Sequence, residues 1–143
     1  VKIKYTTQAT NVQWVPVPDE KGHIVGLYER RGVAIFENEV AATALCGTMD
    51  VINKEVSFQG YTQITFNDGS TWMLTHQGTR APAPGEELGS YKMKGKIIKG
   101  TGRFEGIKGK YSATGRLITP RTKDATKGDN WIEATATYTL PSK

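Results

Sequence analysis

Cysteine, histidine and long apolar runs are scarce in this 143-residue chain. Each shortage closes off a class of function. A single cysteine, Cys46, excludes an intrachain disulfide. Within "TALCGTMDV" it reads as a small buried residue, not a reactive thiol. Two histidines and no second cysteine give no zinc-ligand spacing, so no metal and no cofactor is expected. No segment approaches the roughly 20 apolar residues of a membrane-spanning helix. With 37% hydrophobic and 23% charged residues, the chain reads as a soluble folded domain and not as a disordered one. Helical patterning is also missing: apolar residues at three-and-four spacing nowhere persist beyond about two turns. No Ser-His-Asp set or paired-carboxylate motif is visible. The chain starts without methionine on strand-like residues at Val1. Removal of a leader ahead of Val1 would make it a secreted or periplasmic protein; trimming would leave the same start.

What the chain does have is alternation. In "EVSFQGYTQITF", Val56, Phe58, Ile64 and Phe66 share one parity, opposite Ser57, Gln59, Gln63 and Thr65. "NDG" at 67–69 supplies the positive φ of a tight hairpin turn. The following strand places Trp72, Leu74 and His76 on one face. "APAPGEELG", 81–89, reads as a loop. In "YKMKGKIIK", Tyr91, Met93, Gly95 and Ile97 alternate with Lys92, Lys94 and Lys96. "IKGKYSATGRLI" opposes Tyr111, Ala113 and Leu117 to Lys108, Lys110 and Arg116, and "NWIEATATYTL" sets Ile132, Ala134, Ala136 and Tyr138 on one face. Upstream, "KIKYTTQATNVQWV" reads as an extended or interrupted strand. "HIVGLYERRGVAIF" reads as a long strand with a bulge near Arg31 and Gly32, where apolar parity is lost. About eight strands with short turns, one domain over residues 1–143, predict an all-β fold. A closed antiparallel eight-stranded barrel removes the exposed edges, and a β-sandwich is the alternative.

The stretch "GTGRFEG", 100–106, could cradle a phosphate or bend a strand. A phosphate loop needs a helix after it, and "FEGIKGKYSATGRL" is strand-patterned. Six glycines between 95 and 115 read as barrel devices that permit bends and close backbone approach. Here a family resemblance enters. "GTGRFEGIKGKYSATGRL", through Gly100, Gly102, Phe104, Gly106 and Gly109, resembles the signature of the allene oxide cyclase-like barrels, a superfamily that includes the dirigent proteins. The resemblance implies an eight-stranded barrel with a lumen. In such barrels this stretch shapes the fold and supplies no catalytic group. Plant allene oxide cyclases use an acid on the first strand; "KIKYTTQAT" has none, so that activity is not expected.

Candidate lumen residues are Trp72, His76, Tyr111 and Tyr138, each on an apolar parity. His76 is either a lumen acid or base or a structural histidine. Within the charged run Glu29, Arg30 and Arg31, an inward Glu29 and Arg31 pair would form a polar site; a bulged, solvated run is the alternative. His23 reads as a solvated turn residue.

Charge is unevenly spread. Residues 1–91 hold seven Lys/Arg and ten Asp/Glu, whereas residues 92–123 hold ten Lys/Arg and one acid, Glu105. Lys92, Lys94, Lys96, Lys108, Lys110 and Arg116 would share the outer face of two strands. Such a patch suits a polyanion or anionic surface or serves as an anti-aggregation face. Aromatics do not interleave with these lysines, so neither single-stranded nor sequence-specific nucleic acid is indicated. Three functions follow: a barrel binding a small apolar or aromatic molecule in its lumen, a cofactor-free cyclase or isomerase, or an interaction protein using the basic face. A homo-oligomer is left open.

Overall fold

The computed structural model describes residues 1–80, 90–119 and 129–142. The expected loop at 81–89 lies outside them. Eight strands are β1 (Lys2–Pro16), β2 (His23–Ile35), β3 (Val40–Ile52), β4 (Glu55–Thr65), β5 (Thr71–Arg80), β6 (Ser90–Thr101), β7 (Lys108–Leu117) and β8 (Asp129–Thr139). Each pairs antiparallel with its sequence neighbour, and β1 closes on β8 to make a barrel in strict chain order. The sandwich alternative is excluded by that closure. No helix among the described residues is long and apolar enough to cross a membrane.

Parity decides what fills the barrel. Ile3, Tyr5, Ile64, Leu74, Met93, Ile97, Tyr111 and Ile132 are buried in one cluster, while their strand neighbours carry the polar face. Small residues on this wall, Ala113, Ala134 and Ala136, join the same cluster. Two irregularities bend the wall. One lies in β1 between Ala9 and Asn11. The other lies where β6 passes Met73 and Leu74 and turns Ile98 outward beside buried Ile97. The bulge expected near Arg31 and Gly32 is therefore displaced to β1. β2 keeps an unbroken alternation, with its parity obscured because Leu27, Val33 and Ile35 are exposed. Cys46, expected to be buried, is exposed on the outer face of β3.

One end of the barrel is closed by rings. Phe66 packs on Phe104 with centroids 4.8 Å apart, and Trp72 meets Phe104 at 5.3 Å and Phe36 at 5.6 Å. These edge and tilted geometries suit aromatic quadrupoles. The stretch that resembled a phosphate loop builds this plug. After β6 the chain makes one short 3-10 turn, Gly102–Phe104, with Gly102 at φ +61° and Gly106 at φ +80°. The turn swings Phe104 inward and lays the Arg103 guanidinium over the Phe66 and Phe104 rings at 4.9 and 4.6 Å. Arg103 also holds Glu39 at 2.6 Å and Asp68 at 3.2 Å, which ties three turns together over the plug.

Candidate functional site

Behind the plug the lumen turns polar. Pairing places Tyr28 opposite Gly47, Gly47 opposite Gly60, and Gly60 opposite His76, one row across four strands. Neither intervening position has a side chain, so Tyr28 and His76 lie flat along the wall and meet: Tyr28 Oη is 2.5 Å from His76 Nε2. A Cβ on Gly47 would collide with the Tyr28 phenol. The other ring nitrogen, His76 Nδ1, is 3.0 Å from Thr62 Oγ1. Burial pushes His76 down to about 4, so the ring is neutral near pH 7. With Tyr28 donating to Nε2, the Nδ1–H donates to Thr62. Burial also raises the Tyr28 phenol, which therefore stays protonated.

A second polar chain runs from β2 to β6. Arg30 points inward from the position between Glu29 and Arg31. Its Nε donates to Thr7 Oγ1 and its Nη2 to Thr7 O, both at 2.9 Å. Thr7 Oγ1 donates to Asn130 Oδ1 at 2.7 Å, and Asn130 Nδ2 donates to Tyr91 Oη at 2.9 Å. Burial lowers the Arg30 pKa, yet a guanidinium keeps its charge in proteins. Among the described residues the lumen thus holds one fixed cation, half-buried Arg30, beside a neutral Tyr28, His76 and Thr62 chain. Two more phenols face in: Tyr5, raised well above its usual value by burial, and Tyr111, raised by burial and donating to Thr75 O at 3.0 Å. The named donors are engaged within the wall, so the arrangement sets one half-buried positive charge beside neutral, hydrogen-bonded groups. It offers no base that is strong at neutral pH.

The expected residues divide accordingly. His76 and Tyr111 are buried in the lumen, and Trp72 is buried in the plug. Tyr138 carries inward parity and stacks on Trp72 at 5.2 Å, but at the plugged rim it is 40% exposed. Glu29 and Arg31 are corrected: both are exposed on the outer wall, because alternation through unbulged β2 turns Tyr28, Arg30 and Ala34 inward. The six basic residues Lys92, Lys94, Lys96, Lys108, Lys110 and Arg116 are all exposed on β6 and β7, with Lys96 directly opposite Lys110.

His23 is also corrected. Its side chain is only 11% exposed, held at 2.7 Å by Asp19 on Nδ1 and by Asp50 on Nε2. The Asp19 hydrogen bond, then that to Asp50, raises its pKa. Asp19, Glu20 and His23 bring three ligand-type atoms within 4.8 Å, but both His23 nitrogens are already engaged by carboxylates. Sequence reasoning missed Tyr28, Thr7, Thr62, Tyr91 and Asn130. Tyr28 and Arg30 share a parity with Ala34, which is the signal that could have found them.

No family model matches the sequence, and no curated protein matches it. Seven chains of solved structures do match. One is a pterocarpan synthase dirigent protein, similar at a TM-score of 0.51 and 17% identity over 100% of this chain and 86% of that one. At that identity the likeness is one of fold: this chain has a dirigent-like eight-stranded barrel.

Proposed function

We propose that the protein binds a small molecule in the barrel lumen, with an apolar or aromatic body against the aliphatic and aromatic wall and one oxygen at the Arg30 and Tyr28 chains. The observation that supports this reading most is the inward chain of half-buried Arg30, buried Thr7 and Asn130, and half-buried Tyr91. Drawing even a half-buried charge inward costs desolvation that its hydrogen bonds must offset, and an apolar filling would have stabilised the barrel as well. Concave, mostly apolar sites with a few placed polar groups are the usual form of ligand pockets.

The test is a thermal-shift and calorimetric screen of flat aromatic compounds in matched pairs, each with and without a phenol, ketone or carboxylate. The oxygenated member of a pair should bind, and Arg30→Leu should abolish the preference within the pair. A saturating ligand at 100 times its Kd would stabilise the fold by about 2.7 kcal/mol. Failure of every pair to shift the unfolding of the parent protein would overturn the proposal.

A second reading, a cofactor-free cyclase or isomerase, draws on the neutral Tyr28 and His76 pair beside a fixed cation. Preorganised donors stabilise an oxyanion as it develops, and the structural neighbour is named as a synthase. Stereochemical analysis of a ring-closed product, with and without the protein, tests it. A racemic product in both cases counts against it.

A further inference from the structure

We infer that the outer wall carries a binding site for an acidic polysaccharide, separate from the lumen. A groove of about 1140 Å3 crosses the wall from β4 through β8 to β1. On each strand it touches three successive residues. The middle one turns into the barrel and the flanking two are exposed. Strand pairing aligns the flanking residues into two rows. In one row Lys2 opposes Thr135, Thr135 opposes Ser112, and Ser112 opposes Lys94. In the other, Lys4 opposes Glu133, Glu133 opposes Thr114, and Thr114 opposes Lys92. Between the rows the floor on β7 and β8 is Ala113 and Ala134, whose methyl groups point inward. The groove is therefore walled by hydroxyl, carboxamide and ammonium groups, with the Glu133 carboxylate among them, over a backbone floor.

Charge and repeat together select the occupant. Lysines stand at both ends of this stretch, on β1 and β6, with Glu133 the one acid among the groove residues. Successive strands lie about 4.8 Å apart, close to the length of one pyranose unit in an extended chain. Each strand can thus offer a pair of polar side chains to one sugar, with lysines meeting carboxylate or sulfate groups. Trp131 adds a ring. It lies on the same outer parity of β8 as Glu133, and its indole N–H donates to Glu133 Oε1 at 3.3 Å. A ring fixed this way suits the C–H face of a sugar. Single-stranded nucleic acid would call for a series of aromatic platforms, and the described groove has one ring at its edge.

The experiment is titration calorimetry of the whole chain with oligogalacturonate, heparin oligosaccharide, neutral dextran, a single-stranded oligonucleotide and anionic vesicles, at 20 and 150 mM salt. The variant is Lys4→Gln/Lys92→Gln/Lys94→Gln; Lys21→Gln/Lys54→Gln is the control. An acidic oligosaccharide should bind the parent and control proteins alike. The groove variant should lose at least tenfold, and its log Kd against log salt slope should fall by about one for each lysine removed. Trp131→Ala should weaken binding with that slope unchanged. These lysines are exposed, so the variant's urea midpoint should match the parent's. Equal affinity in the groove variant overturns the inference. So does tighter binding of the oligonucleotide or vesicles than of either acidic oligosaccharide, or binding of dextran as tight as theirs.

Discussion

Gly102 and Gly69 share a backbone conformation but not a neighbourhood, and that contrast tests how the plugged end is built. Both have positive φ, +61° and +83°. An alanine forced into left-handed backbone costs about 1–2 kcal/mol at either position. At Gly69 nothing lies within 4 Å of the added Cβ, so Gly69→Ala should lose no more than that. At Gly102 the Cβ would strike Ser70 Oγ, which accepts the Arg103 backbone N–H at 3.2 Å. Displacing Ser70 forfeits that hydrogen bond, about 1 kcal/mol, and overpacks the turn by about 1–3 kcal/mol. Gly102→Ala should therefore cost roughly 2 kcal/mol more than Gly69→Ala. In urea, with m of about 1–3 kcal/mol/M, this separates the two midpoints by about 1 M at unchanged m. Equal midpoints would refute the steric argument and leave φ alone as the reason for glycine at 102.

The two histidines should give opposite pH signatures. His76 sits near 4 when folded against 6.5 unfolded, so the unfolded chain binds more protons between those values. Stability should fall by about 3 kcal/mol as pH drops through that window, and His76→Gln should flatten the dependence in urea melts at pH 4 to 6.5; an unchanged slope removes His76 as its source. His23 has a raised pKa, so its contribution is full below 6.5 and is lost as pH rises through the folded value. His23→Gln should remove that loss, which melts from pH 6 to 9 would show. Gly47→Ala should push Tyr28 off His76; NMR titration should then find the His76 pKa displaced from the parent's value, and an identical titration would show that the glycine row does not hold the pair.

Where one side of the wall was consistently apolar, the fold was legible. β6 and β7 alternate lysine with Met93, Ile97 and Tyr111, and the structure keeps that parity along β7 and through Ile97 of β6, beyond which the irregularity at Ile98 and Lys99 shifts it. β2 defeats the same reading. It exposes Leu27, Val33 and Ile35 and turns half-buried Arg30 inward, so hydrophobicity points to the wrong face. Unclear apolar parity leaves either an inward pair of Arg30's neighbours or a bulged, solvated run open, and the inward polar chain through Arg30 is neither. Thr7 and Asn130 were invisible for another reason. They bond to each other across 123 residues, a separation that only the closing of β1 on β8 brings together.

Glycine carries the part of the site that hydrophobicity hides. Along the wall, Tyr28 and His76 are three strand spacings apart, about 14 Å, yet their tips touch. Two side chains can reach across that span only if the positions between them are empty, and Gly47 and Gly60 are those positions. The same device recurs where Tyr91 covers Gly115 and Tyr111 covers Gly95. Each pairs an aromatic ring with a glycine on the adjacent strand. A ring that lies along the wall keeps its polar tip inside and carries it past its own strand. Three of the lumen phenols, Tyr28, Tyr91 and Tyr111, are thus set by a glycine opposite them on the adjacent strand, whereas Tyr5 lies opposite Ala34 and Ile132. Gly47 and Gly60, which leave the wall bare between Tyr28 and His76, lie outside the glycine stretch at 100–109 that builds the plug, so the plugged end and the candidate site draw on separate sets of glycines.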